Sequence, residues 1–95
     1  MSAADYLDKA AETFRERGKL YGDNYVRAGN VMLAMFPQGI KLDTARDQTR
    51  YHLMSWIVGK LCRYAVQWEK GHADSIHDAT VYCALLEDFD ESTRV

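Results

Sequence analysis

The feature that most constrains this chain is how little interrupts it. One proline, Pro37, and six glycines are all the strong breakers in 95 residues. Proline locks φ and removes a backbone donor, so long proline-free stretches leave the α-helix open to the chain. Between the breakers, apolar residues recur at helical spacing, and no run alternates with the period of a strand. The sequence predicts an all-α fold of four helices, in one domain over residues 1–95 with frayed ends at 1–2 and 91–95.

The first helix is expected over residues 3–17. Tyr6, Leu7, Ala10, Ala11 and Phe14 form an apolar stripe, with Asp5, Asp8, Glu12 and Glu16 mostly opposite. Gly18 is the expected C-cap, and residues 19–22 a connector. Asp23 or Asn24 caps the second helix, which must stop near Pro37. Asp43 or Thr44 caps a long third helix over residues 45–70, polar in its first half and apolar in its second. At about 1.5 Å per residue such a helix spans nearly 40 Å. Gly59 inside it costs about 1 kcal/mol against alanine, which predicts a close helix approach, a kink or a break. The fourth helix starts at Asp74 or Ser75 and runs to about Asp90, burying Ile76, Ala79, Val81, Tyr82, Ala84, Leu85, Leu86 and Phe89.

A chain this small builds a thin core. It nonetheless carries two Trp, six Tyr, three Phe and four Met, types enriched at interface cores. A third helix longer than its own core needs another surface to cover it. Both points predict a homodimer or homotetramer. The net charge of −2 argues against binding a nucleic-acid backbone, which favours a basic excess. No apolar run approaches membrane-spanning length, and no signal peptide is read, so the expectation is a cytoplasmic protein with no membrane partner. Cys62 and Cys83 sit in apolar helical runs and read as buried free thiols.

Three constellations could carry chemistry. In the fourth helix, Ser75 with Asp78 three residues on resembles a capping box, while Asp74, Asp78 and Tyr82 repeat every four residues along one side. The two carboxylates are candidate metal ligands, and the tyrosine a candidate ligand contact. In the third helix, Lys60 and Arg63 share a face within the most apolar part of the chain. They either pair with Asp74 or Asp78 or meet an anion, Arg63 forking onto a phosphate. In the YGDN turn, Gly22 allows close backbone approach, Tyr21 or Tyr25 offers a ring to a flat base, and Asn24 an amide. Each of these also has a purely structural reading as a cap, a salt bridge or a helix–helix turn.

Taken in order, YGDN, KLCR and DSIHDATVY followed by LLED resemble a group of small phage-encoded helical proteins of unknown function. The group is distantly similar to MazG-like nucleotide pyrophosphatases. The resemblance implies a MazG-like helical bundle, an oligomer and a nucleotide-like ligand. MazG-like enzymes hold magnesium between an E-x-x-E pair and an E-x-x-D pair. Here the nearest matches are Asp5-x-x-Asp8 and Glu87-x-x-Asp90, so the resemblance supports a nucleotide ligand more than hydrolysis. The leading expectation is a protein of the host-cell cytoplasm binding a nucleotide or nucleotide-derived defence signal between subunits, through Tyr21, Asn24, Lys60, Arg63, Asp74, Asp78 and Tyr82. The alternatives are a Mg²⁺-dependent nucleotide pyrophosphohydrolase using Asp74 and Asp78, and a host-protein-binding module anchored by Trp56, Tyr64 and Trp68.

Overall fold

Four helices form where the breakers permit them. The computed structural model describes residues 1–94, and the side chains of all of these except residues 19–21. The helices are α1 (Ala3–Tyr21), α2 (Asn24–Met35), α3 (Ala45–Val66) and α4 (Ala73–Ser92). No strand occurs among the described residues.

Two of the four helix starts, those of α1 and α3, are closed by side-chain caps; at α2 and α4 the N-cap residues are Asp23 and His72 and neither makes a side-chain cap bond, so the cap expected of Asp23 does not form. Ser2 and Asp5 form a reciprocal capping box at the start of α1, so residue 2, expected to fray, is anchored. Thr44 Oγ1 accepts from the Asp47 amide at 3.1 Å and caps α3. Gly18 lies inside α1 rather than ending it, and the chain turns at Gly22 with φ 57°. Only a residue without Cβ takes that conformation readily. The third helix is unbroken through Gly59 and ends at Val66, one turn short of the expected Lys70, in a series of turns closed by Gly71 at φ 71°.

The fourth helix begins at Ala73, with His72 in the N-cap position. This corrects the reading of Ser75 as the cap. Ser75 already lies in the first turn, buried to 1% exposure, with its Oγ bonded to His72 Nδ1. Its hydroxyl is therefore committed to a neighbouring side chain, and the Ser75–Asp78 capping box does not form.

The core is a seam between α3 and α4, joined by α2. Leu53, Val58, Cys62 and Ala79 are its buried apolar residues. The arginines at the start of α3 meet the end of α4. Arg50 Nε lies 3.1 Å from Asp90 Oδ1 and Arg46 Nη2 3.9 Å from it. The closer pair is near enough for ionic attraction but too misaligned to hydrogen-bond. Asp90 thus ties the two helices.

Much of the expected core is bare. Every described side chain of α1 except Ala11 is exposed, including Tyr6, Leu7 and Phe14. On α4, Ile76, Val81 and Leu85 are exposed, as is Cys83. The reason is architectural: α4 packs chiefly on α3, and one helix partner covers only one stripe. The radius of gyration is 16.4 Å, against about 12 Å for a compact domain of this length.

Candidate functional site

Where α1 ends and α2 begins, the chain crosses one face of α3 and leaves a cleft of ≈ 630 Å³. Asn24, Lys60, Arg63 and Tyr82 all line it. These four expected site residues come from three helices and meet within one chain. The face of α3 that forms the floor carries Trp56, Gly59, Lys60 and Arg63, at the i, i+3, i+4, i+7 spacing that aligns side chains along a helix. Arg17 and Phe14 of α1 and Tyr25 of α2 complete the rim.

The floor is open because small residues build it. A Cβ placed on Gly18, Gly22 or Gly59 would meet nothing within 4 Å. At Gly59 neither a close helix approach nor a kink explains the glycine; its missing side chain leaves the cleft its depth.

The cleft lining has a cationic component and an aromatic component. Arg17, Lys60 and Arg63 supply three cations against one lining carboxylate, Asp23. The chain as a whole is net acidic, so this excess is local. Lys60 Nζ is 3.1 Å from Asp78 Oδ2. Asp78 thus holds the lysine from α4, as the pairing alternative expected. The aromatic part is a ladder: the Trp56 ring lies 5.0 Å from Tyr82 and 4.1 Å from His52, centroid to centroid. Trp56 remains 45% exposed, leaving ring surface for a planar guest.

Asn24 is the sharpest polar feature. Its Nδ2 donates to the Gly59 carbonyl at 3.3 Å. A carbonyl only accepts, so the amide nitrogen must face it and Oδ1 must turn away. That oxygen is buried without a partner. An unsatisfied buried acceptor costs about 1–3 kcal/mol.

The remaining expected residues fall elsewhere. Asp74 is exposed in the first turn of α4 and does not line the cleft. The side chain of Tyr21 lies outside the described residues. Magnesium needs several convergent oxygens. Asp78 is engaged by Lys60, and among the described residues no three His, Cys, Asp or Glu side chains gather as a metal site. The Asp74 and Asp78 donor set therefore falls short of a magnesium centre. Arg17, Phe14 and Trp56 line the cleft but were not read as site residues in the sequence. Trp56 was findable, being four residues before Lys60 on the same helical face. Arg17 was not, because its place depends on α1 continuing through Gly18.

No protein family model, curated protein or solved structure matches the chain significantly.

Proposed function

We propose that the chain binds a small anionic molecule carrying a planar ring, of the nucleotide class, in the cleft between α1, α2 and α3. The observation that carries this reading is what the cleft brings together: three cationic side chains, Arg17, Lys60 and Arg63, and the exposed Trp56 ring beside Tyr82. Arg63 and Lys60 meet phosphate oxygens, Arg63 able to fork onto two of them. Trp56 and Tyr82 take the base face. The volume lies within the range of small-ligand sites.

A local positive cleft on an acidic chain favours a compact anion over a long polyanion, which would meet repulsion outside the site. In the phage setting that the sequence resemblance implies, such a site would sequester a nucleotide signal. A neighbouring subunit across the cleft mouth would make the pocket inter-subunit.

A thermal-melting screen of mononucleotides, dinucleotides and cyclic nucleotides, with and without Mg²⁺, tests the proposal. A ligand at 100 times its Kd adds about 2.7 kcal/mol to the native state. For a domain this small, that corresponds to a melting shift of roughly 10–20 °C. A flat response across the panel overturns it. Release of phosphate or pyrophosphate in the Mg²⁺ arm would instead establish the hydrolase alternative.

A further inference from the structure

The accessible surface is 7414 Å², whereas a compact monomer of 10.9 kDa exposes about 5,600 Å². The excess of about 1,800 Å² per chain exceeds the ~800 Å² a partner contributes to a standard interface, and matches obligate homodimers. Two bare apolar features account for its character. One is a groove of ≈ 470 Å³ among α2, α3 and α4, lined by Val31, Met35, Met54, Ile57, Leu61 and Leu86 among others, with almost no polar surface. The second is the α1 stripe, where Leu7 is 70% and Tyr6 61% exposed.

These two features fit each other and cannot meet within one chain. Met54, Ile57 and Leu61 occupy the face of α3 opposite Trp56, Lys60 and Arg63. Phe14 and Arg17 place the end of α1 at the cleft, on the far side of α3 from the groove. A concave groove is filled by a convex element, not by another groove. Among the described residues, α1 is the helix whose apolar side chains lie almost wholly uncovered. A lone helix of this length is marginal in water, so α1 gains most from being seated.

We infer that the chain self-associates by inserting α1 of one copy into the α2–α3–α4 groove of a second, reciprocally about a two-fold axis. The arrangement is helix-in-groove recognition with the same patch used on both subunits. The groove lies on the other face of α3 from the cationic cleft, and the stripe residues seated in it are Tyr6 and Leu7 in the first half of α1, since Phe14 nearer its other end lines the cleft. This inference stands independently of the ligand reading.

Light scattering on the intact chain tests it. The wild type is expected at about twice 10.9 kDa or a multiple of that dimer. Leu7→Asp and Leu61→Asp each remove one half of the joint and are expected to run as monomers. Circular dichroism checks that both keep their helices; a variant that unfolds is replaced by Leu7→Ser or Leu61→Ser. Mixed one to one, the two variants restore one intact joint, α1 from the Leu61→Asp chain in the groove of the Leu7→Asp chain, and are expected to form heterodimers. A wild type that stays at 10.9 kDa across concentration overturns the inference. So does a mixture of folded variants that remains monomeric, since that outcome points to stripe-on-stripe or groove-on-groove contact.

Discussion

Lys60 Nζ and Asp78 Oδ2 stand 3.1 Å apart, bridging α3 and α4 at the edge of the cleft. The lysine side chain is 20% exposed and the aspartate 41%, so solvent screens the pair and its stabilisation is about 1 kcal/mol or less. Its larger consequence is electrostatic, because Asp78 offsets a charge that an anion would otherwise feel.

Asp78→Asn should therefore tighten anion binding while costing little stability. Removing one negative charge several ångströms from a phosphate is worth about 1 kcal/mol in a largely aqueous site, or roughly fivefold in affinity. The gain should shrink as salt is added. Lys60→Ala should weaken the same ligand. Calorimetric titration of both variants at two ionic strengths checks the opposite signs.

Asn24→Leu removes both the bond to Gly59 and the unpaired oxygen. Losing the unsatisfied acceptor offsets the loss of a modest hydrogen bond, so stability should move by no more than about 1 kcal/mol. Denaturant unfolding of the variant beside the native chain checks this.

Ser75 is sealed in the α3–α4 seam and bonded to His72. Ser75→Ala should cost about 1 kcal/mol through that lost bond, lowering the melting temperature by roughly 4–8 °C. A cap at this position would instead be tested by glycine, which replaces N-caps nearly without cost. Here Ser75→Gly should destabilise further than alanine, since the residue lies inside the helix.

Asp5 carries a pH dependence. The Ser2 backbone amide at 2.9 Å and hydroxyl at 3.1 Å both donate to its carboxylate, and in that order they hold its pKa below the ordinary value. Folded below unfolded means the stabilisation is present above the unfolded value near ~3.9. It disappears as pH falls through the lower folded value. The first turn of α1 should fray in that acidic window, followed by the Asp5 carboxyl resonance and Ser2 amide exchange. Ser2→Ala should move the titration upward.

Helix number and approximate position were legible because periodicity and breakers are local properties. Which apolar stripes are covered was not. Spacing shows that Tyr6, Leu7 and Phe14 share a face, but nothing local says that α1 lacks a partner within its own chain. The same division holds at the site. Asn24, Lys60, Arg63 and Tyr82 could be gathered by face and chemistry, and they line one cleft. Asp74 could not be excluded by spacing, since i, i+4 aligns it with Asp78 while the cleft ends short of its turn. Ser75 looked like a cap because the cap position had to be inferred from composition. The cap position is instead His72, three residues earlier, which turns that hydroxyl inward.

Gly59 joins the stability of the helix to the depth of the cleft. A Cβ there would touch nothing within 4 Å, so alanine would add roughly 1 kcal/mol of helix propensity without a clash. The native glycine keeps a vacant depression over the middle of α3 at that expense. The most stable form of this chain and the form with the deepest cleft are therefore different sequences, and selection for heat resistance alone would fill the floor.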